Sequence, residues 1–189
     1  VPLGVDLLRF KSVAATATPE ENYGQSQYVL ACTRLSKEKD PEFLLDIARE
    51  MKSANVDCRL VLAGDGPLRA GLESQAATEQ LPIEFLGFVS DKAKLANLMA
   101  HASCFLAVGP IETFGLAALE SLACGTYVLC RDSSAISEVI SPTCGSALAR
   151  DAKLWSREIT SVLEMNPAQV SSQARLRAEE FSWDKCASN

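Results

Sequence analysis

The chain has 189 residues, 48% of them apolar, enough for one domain with a sizeable buried core. Lysine and arginine number 18 against 24 acidic residues, a net charge of −6. That balance argues against the basic face a nucleic acid requires, yet leaves room for a local pocket that takes one phosphate-bearing ligand.

Seven cysteines occur with no C-x-x-C pair, most of them in apolar runs such as YVLAC and SCFLAV. There a thiol behaves as a small hydrophobe, and a reducing cytoplasm suits the pattern better than a disulfide framework. No stretch reaches the roughly 18 apolar residues of a membrane span, and none reads as a signal peptide. A first residue of Val1 rather than methionine reads as a fragment of a longer protein.

In chain order, residues 11–27 (KSVAATATPEENYGQSQ) are small and polar, so 1–27 is expected to be an inter-domain connection and linker. The folded domain is then 28–189. Short apolar runs at 28–33, 58–64, 83–87, 103–108 and 126–130 read as buried strands, with 144–149 a weaker sixth. Between them the spacing predicts helices over 41–52, 67–79, 91–101, 115–124, 151–165 and 167–182. In the first of these Phe43, Leu44, Ile47, Ala48 and Met51 share a face, and Asp40-Pro41 supplies an N-cap and a first-turn proline. Strands alternating with helices predict an α/β fold, a Rossmann-like parallel sheet of about six strands covered on both faces. Ligands of such sheets sit beyond the carboxyl ends of the strands. The loops at 33–40, 64–67, 87–91 and 109–115 are therefore where function is expected.

The loop TRLSKEKD carries Arg34 and Lys39 just ahead of a helix, which makes either an anion site or two solvated cations. AGDGPLR has Gly64 and Gly66, with Glu84 some twenty residues on. The third glycine of a dinucleotide turn is missing, so a tight turn with Pro67 opening a helix is the alternative. In LGFVSDKAKL the backbone around Val89 can present a donor and an acceptor to a planar ring, with Lys94 nearby; alone it is a turn with Asp91 as N-cap.

GPIETFGLAALESLACG holds two glutamates, Glu112 and Glu120, eight positions apart. Eight helical residues span about 12 Å. That exceeds the roughly 5–9.5 Å between the two carboxylates of a glycosidase. It suits two polyhydroxyl groups joined by a diphosphate, with the N–H groups of Gly115 and Leu116 facing the phosphates. Gly115 lacks a Cβ and lets backbone approach a ligand. The other reading is a charge at a helix start and a partly exposed Glu120.

Taken together, TRLSKEKDPEFLL (33–45), VLAGDGPLR (61–69), FLGFVS (85–90) and ETFGLAALESLACGTYVL (112–129) resemble the donor-binding, C-terminal domain of the GT-B retaining glycosyltransferases of group 1, family 4. GVDLLRF at 4–10 extends the likeness over nearly the whole chain. The last stretch carries the family's E-x7-E element, joined by the Arg-x4-Lys spacing at Arg34 and Lys39.

The resemblance implies that Arg34 and Lys39 grip the donor diphosphate and stabilise the departing nucleoside diphosphate. It implies that Glu112 hydrogen-bonds the transferred sugar and that the backbone of Thr113, Phe114, Gly115 and Leu116 holds sugar hydroxyls and phosphate. Glu120 would bind the ribose; Val89, with Lys94, would meet the base; Gly64 would line the site. Catalysis would fall to Glu112, Arg34 and Lys39, with no metal and no cofactor, because cations and a helix start do the electrostatic work. Asp40 stands where the family often has glycine, and Tyr127 where it often has proline. His101 reads as structural, and Trp183 as a packing anchor.

The wording of 109–126 is closest to bacterial α-mannosyltransferases of envelope glycolipid synthesis, which makes GDP-mannose the leading donor and a UDP-sugar the second. The acceptor, a glycan or glycolipid, would be bound by an N-terminal domain outside this chain. The full-length protein would be cytoplasmic, meeting the inner face of the membrane peripherally. Two alternatives stand beside this reading: an NAD(P)-dependent oxidoreductase domain, and a non-catalytic nucleotide-binding module.

Overall fold

The computed structural model describes residues 4–11, 27–110 and 115–181. Glu112, Thr113, Phe114 and Trp183 lie outside the described residues, as does most of the expected linker.

All six expected strands form: β1 (Tyr28–Cys32), β2 (Arg59–Ala63), β3 (Ile83–Gly87), β4 (Cys104–Ala107), β5 (Tyr127–Arg131) and β6 (Gly145–Leu148). They make one parallel sheet in the order β3-β2-β1-β4-β5-β6. Tyr28 lies opposite Arg59 and Cys32 opposite Ala63 on one side of β1, while Val29 meets Cys104 on the other. The connecting helices are α1 (Glu42–Ser53), α2 (Arg69–Thr78), α3 (Lys92–His101), α4 (Leu116–Ala123), α5 (Ala152–Leu163) and α6 (Pro167–Glu179). None among the described residues is long and apolar enough to cross a membrane.

The period-two alternation of a strand sends successive side chains to opposite faces, and here both faces are buried. Tyr28 and Leu30 pack with Leu98, Met99, Leu119 and Leu122 in one core, which α3, α4 and α6 cover. Val29 and Ala31 pack with Phe43, Ile47, Leu72 and Trp155 in the other, which α1, α2 and α5 cover. Trp155 has no exposed surface, meets the Phe43 ring edge-on at 5.5 Å, and donates its indole N–H to the Ala149 carbonyl at 2.9 Å.

Asp91 caps α3 as expected, and two further helices start in the same way. Asp91 accepts from the Ala93 and Lys94 N–H groups, Asp151 caps α5, and Asn166 with Pro167 opens α6. Two expectations fail. Pro67 does not open α2, which begins at Arg69 after a turn. Asp40 does not cap α1, whose N-cap position is Pro41 with no side-chain bond. The Asp40 carboxylate turns instead to Arg131 and Arg150. Burial pushes its pKa up, but the hydrogen bonds from Arg150 and Arg131 outweigh that and hold it below the ordinary range.

The amino-terminal stretch expected to be a connection is packed where it is described. Val5 and Phe10 are buried, and the Arg175 guanidinium of α6 donates to the carbonyls of Leu7, Phe10 and Ala123. The Val5 N–H donates to the Phe181 carbonyl at 3.0 Å.

Strand order sets the position of the site. From β1 the chain builds outward through β2 and β3, then crosses back and builds the other way through β4, β5 and β6. The loops after β1 and β4 therefore part at a topological switch point, which opens a crevice between them.

Candidate functional site

One wall of that crevice is the loop after β1. Its backbone extends the ladder to β2: the Thr33 N–H donates to the Ala63 carbonyl (3.1 Å) and the Leu35 N–H to that of Asp65 (2.9 Å). Leu35 returns an acceptor to the Leu68 N–H (3.0 Å). This close approach depends on Gly64, at φ 152°, where a Cβ would lie 1.9 Å from the Thr33 carbonyl oxygen. The Gly64 N–H itself donates to the Gly87 carbonyl at 2.8 Å. The glycine-rich turn thus braces the β1 loop, and the amide that a dinucleotide turn would aim at phosphate is committed elsewhere. Glu84, the other half of that reading, pairs with Arg59 on the neighbouring strand at 3.5 Å.

From this braced loop Arg34 reaches out exposed, and Lys39 stands half-buried at the end of a single 3-10 turn, Lys37–Lys39. Across the crevice, α4 begins after Gly115, which sits in the left-handed region at φ 57°, ψ 42°. Glycine at the N-cap position has no side chain with which to cap this helix. The start of a helix leaves backbone N–H groups unpaired and carries partial positive charge.

Two cavities share the crevice. The first, about 220 Å³, is lined by Arg34 and Lys39 on one side and by Gly109, Gly115 and Leu116 on the other. The second, about 410 Å³, is lined by Gly64, Asp65, Phe88, Val89 and Leu95. Cys32, Thr33 and Arg34 line both, so the two chambers adjoin at the end of β1. One chamber offers cations and a helix start to an anion. The other offers a more apolar wall to a planar or ring-shaped body.

Glu120 lines neither cavity but stands beside their common wall on the second turn of α4. Its burial raises its pKa, against the opposing charges of Lys92 and Arg9. Burial, with the charge of Glu120 a smaller addition, pushes the Cys32 thiol up to about 12, which leaves that thiol protonated and inert at neutral pH. Lys94 is exposed on α3 and lines neither cavity; Lys92, two residues earlier on the same helix, is the lysine whose charge opposes the rise at Glu120.

The structure therefore gathers Arg34, Lys39, Gly115 and Leu116 about one chamber and Gly64 and Val89 about the other. His101 lines neither, and one of its ring nitrogens lies 2.9 Å from the Asn97 carbonyl oxygen within α3. Sequence reasoning passed over Phe88, although it is an aromatic in a post-strand loop; it is 75% exposed and lines the larger chamber. Among the described residues no group of three or more His, Cys, Asp or Glu side chains is placed to hold a metal ion.

Comparison with known proteins places this architecture. The family model described as "Glycosyl transferases group 1" matches residues 15–180. A GDP-mannose-dependent alpha-(1-6)-phosphatidylinositol dimannoside mannosyltransferase of Mycobacterium tuberculosis is 40% identical over 191 residues, covering 100% of this chain and 50% of that protein. The chain thus spans about half the length of the curated relatives it matches most fully. Among solved structures, sucrose-phosphate synthase from Thermosynechococcus elongatus superimposes with a TM-score of 0.83 at 26% identity, over 98% of this chain and 49% of that one. The C-terminal domain of a group 1 glycosyl transferase from Francisella tularensis, crystallised by itself, matches with a TM-score of 0.71 at 18% identity over 98% of both chains.

Proposed function

The chain belongs to the glycosyl transferases of group 1, and we propose that it is the half of such an enzyme that binds a nucleoside diphosphate sugar, with GDP-mannose as the donor. The observation that carries this reading is the pairing of Arg34 and Lys39 with the glycine-led start of α4 across one crevice at the β1/β4 switch point. Two cations and a helix start form a site for a diphosphate. The adjoining chamber beside Val89 and Phe88 takes the base.

In the proposed reaction the bond between the sugar's anomeric carbon and the diphosphate oxygen breaks, and the diphosphate leaves with the electron pair. Arg34, Lys39 and the α4 N–H groups stabilise the charge that develops there, which is electrostatic stabilisation by groups already in place. An acceptor hydroxyl forms the new bond from the same face and gives its proton to the departing diphosphate oxygen, so the anomeric configuration is retained. Glu120 accepts from the ribose hydroxyls and Glu112 from those of the hexose.

The acceptor, a glycan or glycolipid, is assigned to the other half of the enzyme, in line with relatives twice this length. Mannose is favoured because the 40%-identical relative is a GDP-mannose-dependent mannosyltransferase. Glu84 is engaged by Arg59 and Gly64 by Gly87, so nothing here favours a dehydrogenase.

Calorimetric titration of the 189-residue chain with GDP-mannose, UDP-glucose and NAD tests the reading. Binding of GDP-mannose in preference to the other two is expected. Preference for UDP-glucose would change the donor, and preference for NAD would overturn the assignment.

A further inference from the structure

The residue that follows Lys39 is Asp40, and the donor reading gives it no task. Its backbone sits at φ 50°, ψ 48°, left-handed geometry that costs an ordinary L residue energy and that aspartate tolerates better than most. Its N–H closes the 3-10 turn onto the Lys37 carbonyl at 3.1 Å, and its carbonyl accepts from the Phe43 N–H at 3.2 Å. Glycine could serve that backbone equally well. The side chain does something glycine cannot.

The Asp40 carboxylate is the meeting point of two guanidinium groups. One oxygen accepts from Arg131 Nη1 at 3.0 Å and Arg150 Nε at 2.8 Å; the other accepts from Arg150 Nη2 at 3.1 Å. Arg131 ends β5 with its side chain only 10% exposed, and Arg150 follows β6. Both guanidiniums also lie over the Phe43 ring of α1, at 5.5 and 4.7 Å. The turn that carries Lys39 is thereby fastened to the carboxyl ends of two strands on the far side of β4.

We propose that Asp40, clamped by Arg131 and Arg150, is a positioning residue that holds the Lys39 turn against the anion chamber. This rests on the donor reading above. Asp40 touches no ligand itself; it acts through Lys39, its neighbour in the chain and a lining residue of that chamber. The clamp fixes the backbone from which the lysine projects, so less of the lysine's freedom has to be lost when a diphosphate binds.

Charge and position predict opposite signs here. If Asp40 acted only as a nearby negative charge, removing it would leave two arginines less compensated and draw an anion in more tightly. If it positions Lys39, removing it weakens the anion although the local charge becomes more favourable.

The test titrates GDP and UDP into the wild-type chain, Asp40→Asn, Asp40→Gly, Lys39→Ala and the Asp40→Asn/Lys39→Ala double variant, with thermal unfolding as a check on folding. Asparagine keeps the tolerance for left-handed backbone, and glycine removes its cost, so the second keeps the experiment open if the first unfolds. Each Asp40 variant is expected to weaken the diphosphate about tenfold, the scale of one charged hydrogen bond. Because both residues act through one contact, the double variant should lose little more than Lys39→Ala alone. Unchanged or tighter binding in the Asp40 variants, or losses that simply add, would overturn the positioning role while leaving the donor reading intact. Failure of the wild-type chain to bind either diphosphate would remove both.

Discussion

A Cβ placed on Gly64 would stand 1.9 Å from the carbonyl oxygen of Thr33, and that oxygen belongs to a backbone already tied to β2. Neither partner is a flexible side-chain tip that could swing away. Gly64→Ala is therefore expected to push the β1 loop, and Arg34 with it, off its support. Overpacking of this kind costs about 1–3 kcal/mol. Denaturant unfolding should show that loss, and nucleoside diphosphate affinity should fall with it. An alanine variant as stable as wild type would mean that the loop yields without cost.

Arg34 borders both chambers, so it is placed to meet the diphosphate where the nucleotide passes from one to the other. Hydrogen bonds to charged groups contribute about 1.5–3 kcal/mol. Arg34→Ala should accordingly weaken GDP or UDP at least about tenfold on the same scale, and wild-type affinity should drop with added salt as screening grows. Calorimetry at two ionic strengths measures both. An unchanged affinity in the variant would put the phosphates elsewhere.

For Glu120 the sign of the pH effect can be worked out. Burial raises its pKa above the ordinary 4.5, so between the unfolded and the folded value the folded chain holds a proton there that the unfolded chain has released. Its contribution to stability is then greatest below pH 4.5 and falls as pH rises from there through the raised, folded value. Glu120→Gln should remove this slope and leave the ligand-free chain at least as stable as wild type at pH 7. The same substitution should weaken GDP and GDP-mannose alike, by about 1–3 kcal/mol for a lost carboxylate acceptor. Glu112→Gln should weaken only the sugar nucleotide. Thermal unfolding against pH, with calorimetry on both ligands, separates the two effects; equal loss of GDP binding in the two variants would end the division of labour.

Trp155 provides a contrast outside the two chambers. It is fully buried against Phe43 and lines neither chamber. Trp155→Ala should cost about 3–5 kcal/mol of stability, as large core truncations do. GDP affinity measured well below the unfolding temperature should stay near wild type. A binding loss as large as that of Arg34→Ala would show that α1 transmits the cavity to the Lys39 turn.

Much of this was legible along the chain. The apolar runs at Tyr28–Cys32 and Arg59–Ala63, and the helical face of Phe43, Ile47 and Met51, announce their structure because strand and helix periods are properties of neighbours in sequence. The alternation of the two implies a parallel sheet, and a parallel sheet implies loops at its carboxyl edge. That is why Arg34, Lys39, Gly64, Val89 and Gly115 could be singled out before any coordinate, and why all five line the crevice.

Other features belong to the tertiary structure alone. Asp40 before Pro41 reads locally as a helix cap, yet its carboxylate is taken by Arg131 and Arg150, 91 and 110 residues further along the chain. Glu84 reads as a ribose acid until its strand brings it beside Arg59. Glu120 meets the charges of Lys92 on α3 and of Arg9 near the amino terminus, neither of which is its neighbour in sequence. A side chain's local preference is worth about 1 kcal/mol at a cap, and charged partners brought close in a partly buried setting outweigh it. Sequence therefore determined which elements form and which of their ends carry chemistry; the choice of partner for each charge waited on the sheet order, which no local pattern encodes.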